Sequence, residues 1–122
     1  MKENIFPPNG WTPARMPDLT GKTYFITGAT AGTGKEAAKH LIANGGSVVM
    51  LNRNPEKFQG VIEAIQSEIG ADAPISAITL DLSDLSSVRR ASAEVLETVP
   101  KIDALICNAA IAQVPKQRLT VD

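Results

Sequence analysis

Four short apolar segments alternate along the chain with three longer segments whose apolar residues recur every three to four positions. The short segments predict buried strands, and the periodic segments predict amphipathic helices. Strands that are apolar throughout are typical of a parallel sheet covered by helices on both faces. The predicted strands are 23–27, 47–51, 75–80 and 102–107, and the predicted helices are 33–43, 55–69 and a third that begins at Leu85 and is capped by Asp84.

This alternation predicts an α/β fold, the N-terminal half of a doubly wound parallel-sheet Rossmann fold with the element order βαβαβαβ. Its four strands are expected in the order 3-2-1-4. Right-handed crossovers bring the carboxyl ends of parallel strands to one edge of the sheet. The loops that follow the strands are therefore where binding residues are expected.

Two regions differ in composition. Residues 1–21 contain four prolines and Asn9-Gly10, which predicts an extended arm rather than a helix. The apolar residues Ile5, Phe6 and Trp11 in this arm either pack on the domain surface or form an element that contacts a partner or a membrane. Residues 22–122 are predicted to form one incomplete dinucleotide-binding domain, which is long enough to enclose a single core.

Charge and composition exclude several classes of protein. The net charge is −1, so no basic excess indicates nucleic acid, and no apolar stretch is long enough to span a membrane. The N-terminus lacks the apolar core of a secretory signal. Cys107 is the single cysteine and cannot form an internal disulfide, which favours a cytoplasmic location. The single histidine, His40, has no neighbouring imidazole or thiol, so no metal site is predicted.

The segment T-G-A-T-A-G-T-G, residues 27–34, links the first predicted strand to the first helix. A glycine-rich turn in this place lets the backbone approach a phosphate, whose charge is stabilised by the helix N-terminus. A P-loop would require glycine at position 29 and a hydroxyl residue at position 36, where the chain has Ala29 and Glu36. A dinucleotide-binding loop is therefore favoured.

The end of the second predicted strand indicates which dinucleotide is bound. NAD-specific domains place a carboxylate here to bind the ribose 2′-hydroxyl. This chain has the uncharged Asn52, followed by Arg53, whose guanidinium can form paired hydrogen bonds with a 2′-phosphate. The predicted cofactor is therefore NADP(H).

The spacing T-G-x-x-x-G-x-G resembles the classical branch of the short-chain dehydrogenase/reductase family, over about residues 17–122. The segment C-N-A-A at 107–110 resembles the family's N-N-A-G, with Cys107 and Ala110 as departures. Together with D-L-S-D-L-S-S-V-R at 81–89, it is closest in style to the retinol dehydrogenase and protochlorophyllide reductase branches. Cys107 itself is expected to be a small buried residue at a strand end.

The resemblance implies a cofactor held by the loops after all four strands. In the family, the aspartate at position 81 accepts from the adenine amino group and the next backbone amide meets the ring; Asp81 is also a candidate helix cap. The predicted cofactor-binding residues are Gly28, Thr30, Ala31, Gly32, Thr33 and Gly34 in the first loop, Asn52 and Arg53 in the second, Asp81 and Leu82 in the third, and Asn108, Ala109 and Ala110 in the fourth.

The family's catalytic residues are not matched within the chain. The resemblance implies a Tyr-x-x-x-Lys pair and a serine, but the only tyrosine is Tyr24, inside the first strand, with no lysine four residues later. The serine, tyrosine and lysine are expected beyond residue 122, and the 122-residue chain alone is expected to be inactive.

The chain is thus expected to be the cofactor-binding half of an NADP-dependent oxidoreductase. Hydride would pass between nicotinamide and a hydrophobic carbonyl or alcohol, or a conjugated double bond. The alternatives are a non-catalytic NADP-binding or interaction module and a structural scaffold. The last predicted strand would be an open apolar edge, which predicts poor solubility or pairing into a homo-oligomer.

Overall fold

A computed structural model describes Pro8, residues 10–110 and Thr120. Within these described residues, a 3₁₀ turn at Pro13–Arg15 precedes four strands and three α-helices. The strands are all parallel and lie in the order β3-β2-β1-β4, which confirms the predicted fold class and strand order. The elements are β1 (Thr23–Thr27), α1 (Gly32–Ala43), β2 (Ser47–Asn52), α2 (Pro55–Ile69), β3 (Ile75–Thr79), α3 (Leu85–Thr98) and β4 (Ala104–Ile106).

The described part of the N-terminal arm contains a 3₁₀ turn, and the extended course predicted for residues 1–21 as a whole stays a prediction. Pro13 occupies the first position of the 3₁₀ turn, where its missing N–H costs no hydrogen bond. Trp11 is 55% exposed. Residues 1–7 and Asn9 of the predicted arm lie outside the described residues.

The strongest departure from the predicted elements is at β4, which spans three residues instead of 102–107. The backbone N–H of Asn108 turns back to the carbonyl of Ile106, 3.1 Å away, and ends the pairing with β1. Cys107 therefore follows the strand and is exposed, so the expectation that it is buried was wrong. Leu105 in β4 is 58% exposed. Association of two chains through the β4 edge of the sheet stays a prediction.

Alternation along the strands sends neighbouring side chains to opposite faces of the sheet. Ile26 and Met50 pack with α1 and α2 on one face. Phe25 and Val49 pack with Ala91 of α3 on the other face. The sheet is therefore covered by helices on both sides, and its carboxyl edge is left to the loops. None of the helices in the described part of the chain is long and apolar enough to cross a membrane.

The side chain of Thr27 joins the end of β1 to the loop after β4. Its Oγ1 accepts from the backbone N–H groups of Asn108 and Ala109, both 3.0 Å away. The Asn108 amide in turn donates to the carbonyls of Thr27 and Gly28, both at 3.2 Å. Because Thr27 is only 6% exposed, water has little access to replace its hydroxyl. This junction fixes how the first and fourth loops meet.

Ile65 lies in the core with no exposed surface, whereas Leu96 on α3 is 82% exposed. We expect Ile65→Ala to lower the free energy of unfolding by about 2–5 kcal/mol, because it leaves a cavity between α2 and the sheet. Leu96→Ala removes an apolar side chain from the surface and should change the free energy of unfolding by no more than about 0.5 kcal/mol. Urea denaturation of both variants tests this packing, and equal losses would contradict it.

Thr27→Val should destabilise the protein by about 1–3 kcal/mol, because the backbone N–H of Ala109 loses its acceptor, whereas the N–H of Asn108 keeps the carbonyl of Ile106. Thr27→Ser keeps the hydroxyl and should cost only about 0.8 kcal/mol for the lost methyl group. Urea denaturation gives the stabilities, and hydrogen exchange at Asn108 and Ala109 gives the local effect. A valine variant as stable as the serine variant would contradict the proposed role of the hydroxyl.

Candidate functional site

A cleft of ≈ 690 Å³ lies at the carboxyl edge of the sheet, where the loops after the four strands meet. Most of the predicted binding residues line it: Gly28, Thr30, Ala31, Asn52, Arg53, Asp81, Leu82, Asn108, Ala109 and Ala110. Gly32, Thr33 and Gly34 form the first turn of α1 and are not among the lining residues. The structure thus brings residues from all four predicted loops together, while their contacts with a cofactor stay predictions.

The three loop glycines have different structural roles. Gly28 has a φ of +69°, and a Cβ there would lie 2.9 Å from the Cα of Ala109. A Cβ at Gly34 would lie 2.6 Å from Nδ2 of Asn108. These two glycines therefore allow the first loop to contact the fourth. Gly32, with a φ of +59°, would direct a Cβ into open space, so it leaves the start of α1 accessible.

The N-terminus of α1 lacks the side-chain cap that the other two described α-helices have. Asn54 accepts from the N–H of Glu56 at the start of α2, and Asp84 accepts from the N–H of Ser86 at the start of α3. Ala31, at the corresponding position of α1, offers no such acceptor, and the first turn of α1 contains no acidic residue. Uncapped amides at the positive end of a helix dipole favour an anion.

Asn52 and Arg53 lie where β2 ends, beside the first loop. The Asn52 side chain donates from Nδ2 to Oγ1 of Thr30 at 2.7 Å, and its Oδ1 accepts from the N–H of Arg53 at 2.8 Å. Arg53 is exposed and lines the cleft. Asn52 thus connects the glycine loop to the backbone that carries the arginine.

Lys57 also lines the cleft, although the sequence patterns did not single it out. The signal for it was present, since Asn54 and Pro55 fix the start of α2 and place Lys57 in the first turn, close after Arg53. Among the described lining residues, Arg53 and Lys57 carry positive charge and Asp81 carries negative charge. The other lining residues that the patterns missed are Leu51, Asn54, Leu80, Ser83 and Thr120.

Asp81 follows β3 and does not cap α3, a role that belongs to Asp84. One carboxylate oxygen of Asp81 accepts from the hydroxyl of Ser83 at 2.6 Å and from its N–H at 2.9 Å. These hydrogen bonds, with a smaller contribution from the charge of Arg53, lower the pKa of Asp81 below its usual value. The cleft therefore presents a carboxylate at neutral pH, next to Leu82, which is 54% exposed.

Two curated relatives cover most of this chain but only part of their own length. The chain is 39% identical over 117 residues to a short-chain dehydrogenase/reductase of Armillaria gallica, a match that covers 95% of the chain and 37% of the relative. It is 34% identical over 97 residues to human retinol dehydrogenase 13, which covers 80% of the chain and 29% of the relative. The chain therefore spans roughly a third of the length of these proteins.

Solved structures show the same fold. A short chain dehydrogenase from Escherichia coli CFT073, complexed with NADPH, matches with a TM-score of 0.69 and 28% sequence identity. The match covers 77% of this chain and 39% of the other.

The family model described as short chain dehydrogenase matches residues 22–122. The match begins at the residue before β1 and includes the glycine loop and all four described strands. Since it covers most of the chain, the resemblance predicted from T-G-x-x-x-G-x-G and C-N-A-A is confirmed. The chain belongs to the short-chain dehydrogenase/reductase family.

Proposed function

We propose that this chain binds NADP(H) at the cleft, as part of an oxidoreductase that transfers hydride between nicotinamide and a carbonyl, an alcohol or a conjugated double bond. The observation that carries the proposal is the meeting of an uncapped helix N-terminus, two cations and a carboxylate at one edge of the sheet. Each feature complements a different part of a phosphorylated dinucleotide.

The diphosphate fits the start of α1. Gly32 leaves open space there, and the first-turn amides have no side-chain cap. The loop after β3 suits the adenine, because the carboxylate of Asp81 can accept from an amino group and Leu82 offers an exposed apolar surface. The residues present therefore fit the cofactor, which when bound would supply or accept the hydride.

The choice of NADP(H) over NAD(H) rests on the loop after β2. Asn52 adds no negative charge where NAD-binding domains tend to carry a carboxylate, and Arg53 and Lys57 are exposed on this side of the cleft. A dianionic 2′-phosphate is favoured by two cations, one of which can form paired hydrogen bonds. The NADPH complex of the Escherichia coli neighbour supports this choice.

Tyr24 is not placed to transfer a proton to a substrate at this cleft. Tyr24, the only tyrosine of the chain, lies within β1 and packs against the core cluster that includes Ile26. It is held away from the carboxyl edge and cannot serve as the acid or base there. We assign to this chain the binding and orientation of the cofactor, and to the remaining length of a protein like its relatives the acid and the pocket for a hydrophobic carbonyl or alcohol.

We expect Arg53→Ala to weaken NADPH binding roughly 10- to 150-fold, since a hydrogen bond to a charged group contributes about 1.5–3 kcal/mol. NADH binding should change less than about twofold, because NADH lacks the 2′-phosphate. Lys57→Ala should also lower the preference for NADPH over NADH, but by a smaller factor, since an ammonium cannot form the paired hydrogen bonds of a guanidinium. Calorimetric titration with both cofactors gives the dissociation constants.

Arg89→Ala is the matched control, because Arg89 is an exposed arginine on α3 that does not line the cleft. It should leave both dissociation constants unchanged. An undiminished preference for NADPH over NADH in Arg53→Ala would refute the assignment of Arg53. Failure of the unmodified protein to bind either cofactor would refute the proposed function.

A further inference from the structure

We propose that Asn52 is a positioning residue that directs the hydroxyl proton of Thr30 toward the 2′-phosphate of the cofactor. The inference rests on the proposed function and deepens it, because it names a hydrogen-bond donor for the phosphate that distinguishes NADP(H) from NAD(H). It follows from two short hydrogen bonds made by one side chain, 2.7 Å to Thr30 and 2.8 Å to Arg53.

The orientation of the Asn52 amide follows from its partners. The backbone N–H of Arg53 is only a donor, so the amide group that faces it must be the oxygen. The amide nitrogen is then the group that faces Oγ1 of Thr30. The backbone of Asn52 is held as well, because its carbonyl accepts from the N–H of Leu80, just after β3, at 2.9 Å. These hydrogen-bond partners determine which end of the Asn52 amide is the oxygen and which is the nitrogen.

The direction of the hydrogen bond determines what Thr30 can do. An amide nitrogen only donates, so the Thr30 oxygen accepts, and the single hydroxyl proton of Thr30 remains for another acceptor. Thr30 lines the cleft, and Asn52 links it to the backbone of Arg53. The hydroxyl therefore lies on the side of the cleft that the proposed function gives to the 2′-phosphate, whose oxygens are strong acceptors.

An aspartate at position 52 would reverse this arrangement. A carboxylate only accepts, so the hydroxyl proton of Thr30 would be taken by the side chain of residue 52. The same substitution would add a negative charge beside Arg53. Asparagine thus differs from the carboxylate typical of NAD-binding domains in two ways that favour a phosphate. One is charge, and the other is the direction of a hydrogen bond.

The test compares adenosine 2′,5′-bisphosphate, which carries the 2′-phosphate, with adenosine 5′-diphosphate, which carries the diphosphate instead. Calorimetry on the full chain gives both dissociation constants for the unmodified protein, Thr30→Val and Thr30→Ser. Thr30→Val should weaken the bisphosphate roughly tenfold or more and the diphosphate less than about twofold. Thr30→Ser should retain both affinities. Equal losses for the two ligands, or a larger loss for the diphosphate, overturn the proposal.

The role of Asn52 is tested by coupling. Asn52→Leu should weaken the bisphosphate in the unmodified protein but cause little further loss in Thr30→Val, because the hydroxyl that it orients is gone. Equal losses in both backgrounds overturn the role of Asn52. If Asn52→Leu does not fold, as judged by thermal unfolding, Asn52→Asp replaces it. The aspartate adds the same charge in the unmodified protein and in Thr30→Val. A smaller loss of bisphosphate affinity in Thr30→Val than in the unmodified protein supports the proposal, and an equal loss overturns it.

The outcomes separate this inference from the proposed function. An unmodified protein that binds neither ligand contradicts both. A protein that prefers the bisphosphate through Arg53, while the Thr30 and Asn52 variants leave that preference unchanged, retains the proposed function and loses only the inference drawn here.

Discussion

The hydrogen bonds between the end of β1 and the loop after β4 are the constraint on which the rest of the site depends. The buried hydroxyl of Thr27 accepts from two consecutive backbone amides, and the Asn108 side chain returns two hydrogen bonds to the glycine loop. Parallel pairing of β1 with β4 brings these groups together, although they are some eighty residues apart in the chain. The junction sets where the glycine loop lies, and thereby where α1 begins.

The three described α-helices divide into two kinds at their N-termini. Helices α2 and α3 satisfy their first-turn amides with Asn54 and Asp84, side chains of the chain itself. Helix α1 begins at Gly32, and Ala31 before it provides no such acceptor. Helices α2 and α3 therefore have side-chain acceptors for their first-turn amides, whereas α1 is suited to bind an anionic ligand that supplies the missing acceptor. This difference connects local sequence to the binding role of the cleft.

The sequence predicted the elements and the strand order well, because apolar strands and amphipathic helices have strong periodic signals and parallel crossovers have one hand. It overestimated β4 and wrongly buried Cys107, because pairing there ends when Asn108 turns back to Ile106, a contact that no local pattern shows. The local pattern assigned the same phosphate-binding role to all three glycines of the loop. It could not show the tertiary contacts of Gly28 with Ala109 and of Gly34 with Asn108. The hydrogen bond from Asn52 to Thr30 joins two different loops and could not be predicted for the same reason. Lys57 could have been predicted, because Asn54 and Pro55 mark the start of α2.

The close approach of Gly28 to Ala109 limits how this family member can diverge. A Cβ at position 28 would lie 2.9 Å from the Cα of Ala109, a separation that real structures do not tolerate. Position 28 cannot gain a side chain while the backbone of Ala109 stays in place, so a substitution there is expected to be accepted only with a compensating shift of the loop after β4. Which residues the glycine loop can accept over evolution is thereby limited by a backbone segment some eighty residues later in the chain.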